Sequence, residues 1–397
     1  MSAHKNALTI AYISFDVVPA PKGAAIHIQA FTQVLAQHFG TVQLVTVSPT
    51  MFVTTPPLGP GIDHTVLPAV GKTLIDRVLS FRQALWDWLQ GRFFDIIHIR
   101  SPFEGFPIAL HKPQFCRYLI FEVNGLPSIE LKYRYPRVAD DRELMHKLTT
   151  QEARCLAAAD CVLTPSPISR VYLQERGVEG DRLQVIPNGV ALEVFTYAAP
   201  RIAPVLAPLK LLYFGTLAAW QGVELAIDAL HLYRRDFAAH LSIVGPSRPS
   251  QLKVLNNLAN KLDIAEHVEI YAALPPRDLV AQMHQADVVV APLTACDRNL
   301  VQGCCPLKVL EGMATGTPVI TTDIPAVQAI GLPDYHFLAV KPNSSKAIKD
   351  ALLRLRVDPA LRRALSQRAR DQVERQFAWG IAQQQLIEVY EGLWAQG

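Results

Sequence analysis

Short runs rich in Val, Ile and Leu, with no polar residue alternating between them, recur along this chain and are separated by helix-patterned stretches. In the first half they fall at 8–15, 42–47, 95–100, 118–123, 161–165 and 183–187, and in the second at 210–215, 240–245, 268–272, 288–292, 318–322 and 337–340. A strand that can bury both faces must be covered on both sides, so such runs point to parallel sheets flanked by helices. The helical stretches between them, 223–235, 252–262 and 307–314 among them, supply the crossovers, which are right-handed in parallel sheets. Pro200, Pro204 and Pro208 interrupt the alternation at 198–208 and resist both helix and central strand, so this stretch reads as a linker. The expected class is α/β, with two Rossmann-like open parallel-sheet domains facing a cleft. Residues 1–197 form the first domain, 198–208 the linker, 209–377 the second domain, and 378–397 a helix that packs back on the first.

The 397 residues suffice for two such cores. Half are hydrophobic and 18% are charged, which suits a folded enzyme rather than a disordered chain. A net charge of +3 without Lys/Arg clustering argues against a nucleic-acid partner. Six cysteines occur without a Cys-x-x-Cys pair or a common zinc spacing, and Cys304 and Cys305 are adjacent, which disfavours an ordinary disulfide between them. No apolar stretch reaches membrane-spanning or signal-peptide length, so the expected location is the cytoplasm, with the inner face of the cell membrane as the second choice.

Open parallel sheets bind ligands beyond the carboxyl ends of their strands, so the chemistry is sought in the loops there. The first such loop, Pro19-Ala20-Pro21-Lys22-Gly23-Ala24-Ala25-Ile26-His27, has small residues at Gly23 and Ala24 that let backbone N–H groups approach a diphosphate. It contains neither a Gly-x-Gly-x-x-Gly nor a Walker-type sequence, which removes the best support for a dinucleotide oxidoreductase or P-loop enzyme. The second loop runs from Gly215 through Thr216, Trp220 and Gln221 to Gly222, with Trp220 read as core sooner than lid. The third is Cys304-Cys305-Pro306-Leu307-Lys308-Val309-Leu310-Glu311-Gly312-Met313-Ala314-Thr315-Gly316-Thr317-Pro318. Pro306 suits a first helical position, and along the Pro306–Lys308 backbone the N–H groups after it are left free for phosphate. Lys308 adds charge there, and Glu311, about one turn on, is placed to accept the hydroxyls of a ribose.

At this third loop the chain resembles the family-four glycosyltransferases of the GT-B architecture over nearly its whole length. The likeness rests on Gly215 with Trp220-Gln221-Gly222, Pro187-Asn188-Gly189-Val190, Val244-Gly245, the run at 288–292, the stretch Leu310 to Val319, and Phe377 and Trp379 before a last helix. It implies transfer of a sugar from a nucleotide-diphosphate donor with retention at the anomeric carbon and no metal cofactor. The chain departs from the family pattern in three places. Thr216 and Gln221 stand where the donor loop usually carries Arg and Lys, Gly303 where the first of two paired glutamates is usual, and Glu122-Val123-Asn124-Gly125 where many members have His-Gly. These departures read as a subgroup whose charge is relocated to Arg298 and Lys308, the candidates for stabilising the leaving diphosphate.

Glu122 and Asn124, at the end of a strand, are candidates for catalysis and acceptor contact, with acceptor positioning favoured over a covalent carboxylate route. His27 and His98 are further acceptor candidates at strand ends. No Asp-x-Asp occurs, in keeping with a metal-independent site where helix ends and cations act. The stretch 72–94 mixes Trp86, Trp88, Phe93 and Leu79 with Lys72, Arg77 and Arg92; it reads first as a helix packed on the first sheet and second as a peripheral membrane contact. The expected partners are a nucleotide sugar and a carbohydrate or lipid-linked acceptor, in polysaccharide or lipid-linked glycan synthesis. Two other readings stay open: an epimerase or hydrolase of the same fold, and a non-catalytic nucleotide-sugar-binding partner.

Overall fold

The computed structural model describes residues 8–395 apart from 21, 51–54, 56, 203 and 205, together with the side chains of all of these except Arg137. Its strands are β1 (Ile10–Ile13), β2 (Val42–Ser48), β3 (Ile62–Pro68), β4 (Phe94–Ile99), β5 (Cys116–Glu122), β6 (Cys161–Thr164), β7 (Leu183–Val185), β8 (Leu209–Phe214), β9 (Ala239–Val244), β10 (Val268–Tyr271), β11 (Val288–Ala291), β12 (Val319–Thr322) and β13 (Leu338–Val340). They form a seven-stranded sheet, ordered β3-β2-β1-β4-β5-β6-β7, and a six-stranded sheet, ordered β10-β9-β8-β11-β12-β13. Every pairing is parallel. The central strands β1, β6, β11 and β12 are buried throughout, as uninterrupted apolar runs demand. The sequence reading missed only β3. It is an edge strand that carries Asp63, His64 and Thr65, ends at Pro68 and is half exposed, so it never forms an apolar run.

The chain divides into two compact units, 1–187 with 382–397, and 188–381. The boundary thus falls ten residues before the proline-rich stretch that the sequence marks as a linker. Residues 188–197 go with the second unit because they pack there: Val190 bridges Ala378 and joins Phe195 and Phe377 in one apolar cluster. Proline content reports local stiffness, whereas the boundary follows burial.

In the first unit one cluster, built on Ile13, Val45, Phe81, Ile97, Leu119 and Phe121, fills the space between the sheet and its helices. The second unit has a core on each face of its sheet, one around Met313 and Phe337, the other around Tyr213 and Tyr233. The helix Leu74–Leu89 starts where it does because Thr73 and Asp76 cap it reciprocally. It buries Val78, Phe81, Leu85 and Leu89, with Trp86 and Trp88 packed against the same core. The Arg82 guanidinium donates to the carbonyls of Pro102 and Phe103 and to Gln151. Packing on the sheet therefore accounts for this helix, leaving Ile75, Leu79 and nearby Phe93 exposed. No helix among the described residues is long and apolar enough to cross a membrane.

Candidate donor and acceptor sites

Each sheet reverses its strand order once, between β1 and β4 and between β8 and β11. Chain connections diverge at such a point and leave a crevice at the carboxyl ends of the two strands. Each unit places its densest group of polar side chains there.

In the second unit, Gly215 follows the end of β8, and β11 leads into the loop that carries Arg298. Two glycines let the loops close on each other. A side chain at Gly245 would meet the Gly215 carbonyl oxygen at 2.0 Å, and one at Gly222, where φ is +70°, would meet that of Pro292 at 1.9 Å. Only glycine permits either approach. The residues between carry the cations. Lys308 is buried, its Nζ donating to Gln221 Oε1 at 2.9 Å and lying 3.5 Å from the centroid of the Tyr213 ring. The Tyr213 hydroxyl in turn donates to the Thr216 carbonyl at 2.7 Å. A side chain on Gly215 would touch Lys308 Cε at 3.4 Å, so the ammonium rests against the very turn that lacks its own cation.

Trp220, one residue before Gln221, is half-buried rather than core: the Arg298 guanidinium stacks 3.8 Å from its ring centroid. Arg298 opens a π-helical turn, Arg298–Gln302, pinned by the buried Asn299, whose Nδ2 donates to the carbonyls of Trp220 and Thr294 at 2.9 Å each. The two cations that the sequence proposes are thus held by adjacent residues of one loop. The helix after them is Leu307–Thr315, and Pro306 is its N-cap, one position earlier than expected. No side chain caps it. The Asn188 amide fixes the Cys305 carbonyl just before it at 2.8 Å.

Glu311 makes no hydrogen bond or ion pair among the described residues. Burial pushes its carboxyl up to about 8 while Lys308 pulls it down. Burial likewise drives the Lys308 ammonium well below its ordinary value, with Glu311 opposing. Both groups are desolvated without an adequate partner, a costly arrangement unless a ligand completes it.

The first unit presents the opposite case. Glu122, at the end of β5, is buried, and its Oε2 accepts from the Tyr12 hydroxyl at 2.7 Å and His98 Nε2 at 3.1 Å. Its Oε1 lies 2.9 Å from His27 Nε2 and accepts from Arg100 Nε at 3.2 Å and from the Asn124 amide. Burial alone would push this carboxyl up, but Arg100, then His27, and the hydrogen bonds from both histidines hold it well below the ordinary carboxylate range. Burial lowers the basicity of His98, so its ring is neutral. An ionised Glu122 only accepts, which puts the His98 proton on Nε2 and leaves Nδ1 to accept from the Tyr390 hydroxyl at 2.9 Å. Tyr12 and His98 face each other in the β1–β4 register, their rings stacked at 4.3 Å. The network continues outward through Arg100 to Asp16 at 3.3 Å and from Asp16 to Lys22 at 2.6 Å.

This geometry revises the reading of three residues. Four hydrogen bonds occupy the roughly four lone-pair positions of Glu122, with the His27 ring 2.9 Å away as well, which disfavours its attack on a sugar. His98 has no exposed surface, and His27, on the first turns of the helix Gly23–Phe39, is 5% exposed and committed to Glu122. All three organise the strand ends. Asn124 remains half-exposed beside them. Gly23 and Ala24 are the first two residues of that helix rather than of a loop, and no side chain caps its N-terminus. Pro21 lies outside the described residues.

Sequence reasoning did not find Tyr12, Asp16, Arg100 or Tyr213. Arg100 and Asp16 were findable as charged residues just past apolar strands, the signal that selected His98. Tyr12 and Tyr213 sit inside apolar runs, where an aromatic residue reads as core.

Comparison with known proteins agrees with this architecture. The model of the glycosyl transferases group 1 matches residues 202–372, and that of glycosyltransferase family 4 matches residues 21–194. The D-inositol 3-phosphate glycosyltransferase of Corynebacterium urealyticum is 30% identical over 349 residues, 84% of this chain and 78% of that protein. Three other curated relatives, among them a further D-inositol 3-phosphate glycosyltransferase, are matched over only 48% to 61% of their own length. Among solved structures, a sucrose-phosphate synthase from Thermosynechococcus elongatus has a TM-score of 0.81 at 23% identity, covering 98% of this chain and 99% of that one. Anabaena HepE in complex with UDP-glucose has a TM-score of 0.71 at 15% identity, covering 96% and 99%. These two likenesses concern the fold. With a model for each half and a relative of this identity and coverage, the chain belongs to the group 1 glycosyltransferases, of the family-four, GT-B type.

Proposed function

We propose that this chain transfers a glycosyl group from a nucleoside-diphosphate sugar to a carbohydrate or lipid-linked acceptor, with retention and without a metal. The observation that carries the reading is the under-partnered pair Lys308 and Glu311 on an uncapped helix that begins beside the Gly215–Gly222 loop. A diphosphate supplies the charge that Lys308 lacks, and the N–H groups of Leu307 and Lys308 donate to its oxygens. A ribose supplies the hydroxyls that Glu311 lacks. The binding of UDP-glucose by HepE, a protein of the same fold, supports a donor of this class.

As the bond between the anomeric carbon and the diphosphate oxygen breaks, negative charge grows on the leaving group, and Lys308 and Arg298 stabilise it. The saturation of Glu122 favours a same-face route, in which the acceptor hydroxyl attacks from the side of the departing diphosphate and its proton passes to a phosphate oxygen. Asn124 is then an acceptor contact. Polysaccharide or lipid-linked glycan synthesis is the proposed setting, and the exposed Ile75, Leu79 and Phe93 are the proposed membrane contact.

The test is a melting-temperature screen against nucleoside diphosphates and nucleotide sugars, with Glu311→Ala alongside. Stabilisation by one nucleotide family, lost in the variant, supports the donor site and names the base. No stabilisation at millimolar ligand removes the assignment. Donor consumption in the presence of chelator, with the product anomer read by NMR, tests metal independence and retention.

A further inference from the structure

Lys308 is the best-placed cation of the donor site, yet nothing negatively charged touches it. Its Nζ contacts a neutral amide oxygen, Gln221 Oε1 at 2.9 Å, and the face of a neutral ring, Tyr213 at 3.5 Å. The charged group that acts on it is Glu311, about one turn further along the same helix, with no hydrogen bond or ion pair between them. A buried ammonium is ordinarily matched by a carboxylate. Here the loop that passes it offers an amide at the position facing its tip. A carboxylate at 221 would neutralise the cation before any ligand arrived. A second cation there would repel it. An amide and a ring quadrupole hold the amine in place by partial charges alone, so that its full charge is established only against an incoming anion.

We propose that Gln221 and Tyr213 are positioning residues for donor binding: they form a neutral cradle that keeps Lys308 at the Gly215 turn with its charge uncompensated, so that the donor diphosphate becomes its counter-ion. Tyr213 has a second part in this. It is fully buried, and its hydroxyl bond to the Thr216 carbonyl fixes the start of the loop whose far end carries Gln221. The cradle thereby sets Lys308 against the loop from both ends. This inference rests on the donor-site reading above and assigns its electrostatics.

The cradle has a signature beyond affinity. Desolvation depresses the basicity of Lys308, with Glu311 pulling the other way, and no other charged group counters it. A diphosphate that pairs with Lys308 raises that basicity again, so binding draws a proton from solvent. Replacing Gln221 by Glu supplies a permanent partner, raises the basicity of Lys308 beforehand and removes that uptake.

The experiment is calorimetric titration of the wild type, Gln221→Glu, Gln221→Met and Tyr213→Phe with UDP, GDP and ADP in buffers of different ionisation enthalpy. Variants are titrated with whichever nucleotide the wild type binds. The expected result is proton uptake on binding by the wild type. Gln221→Glu weakens binding by about tenfold or more with uptake abolished. Gln221→Met, which loses one hydrogen bond but adds no charge, and Tyr213→Phe, which keeps the ring, each lose less than about fivefold and retain uptake. Equal losses in Gln221→Glu and Gln221→Met with unchanged uptake overturn the cradle and leave the donor site standing. Failure of the wild type to bind any of the three nucleotides removes the donor site and the cradle together. Unliganded melting temperatures no lower than that of the wild type show that loss of folding is not what is read.

Discussion

Each unit buries a charge where its sheet reverses strand order, and the two are treated in opposite ways. Glu122 in the first unit accepts four hydrogen bonds, and Arg100 together with His27 holds it ionised. Lys308 in the second unit has an amide and a ring face, and burial pushes both it and Glu311 toward their neutral forms. A saturated buried charge stabilises its surroundings and has nothing left for a ligand. An unsaturated one costs stability and awaits a partner. The contrast separates scaffold from site more sharply than residue type does, since a Glu at a strand end in a glycosyltransferase invites a catalytic reading.

The comparison is easiest to break at Glu122. Glu122→Ala leaves Arg100 facing the void with only Asp16, and should cost about 3–5 kcal/mol of first-unit stability, read from urea unfolding. An effect below about 1 kcal/mol would remove the scaffold role. Lys308→Met should do the reverse. Unliganded stability holds or rises, because a desolvated cation is gone, while nucleotide affinity falls about 30-fold or more in calorimetry.

The pH dependence sharpens the contrast. Because the Glu122 carboxyl is depressed in the fold, its contribution is present above the unfolded value near 4.5 and is lost as pH falls through the lower folded value. Glu311 is raised to about 8, so the unfolded chain ionises first and stability is lost as pH rises from about 4.5 to about 8. Urea midpoints at pH 5 and pH 8 should therefore be closer together in Glu311→Gln than in the wild type. Identical spacing in the two proteins would show that burial does not raise Glu311. The smallest effect is expected at the surface of the helix Leu74–Leu89. Ile75→Ser with Leu79→Ser should change stability by less than about 0.5 kcal/mol and, if this face meets a bilayer, reduce sedimentation with anionic vesicles. Equal sedimentation with and without the substitutions would dismiss the membrane contact.

The alternation of apolar runs and helices determined the two parallel sheets, because a strand buried on both faces cannot hide its composition. The edge strand β3 escaped for the converse reason. Glycine spacing picked out the loops beyond β8 and β11, and Lys308, Glu311 and Arg298 were legible as charges at the start of a helix or in a loop beyond a strand. Only the tertiary structure decided what those charges meet. Arg298 is held by Trp220, and Lys308 by Tyr213 and Gln221, contacts between residues about eighty or more positions apart that local sequence does not encode. It also decided that Glu122 is spoken for. Its donors come from β1, β4, the helix Gly23–Phe39 and Asn124, and they converge only when the sheet order places those strands side by side. Composition and periodicity fix which surfaces are buried. Whether a buried charge is satisfied depends on distances of a few ångströms between distant parts of the chain, and those exist only in the fold.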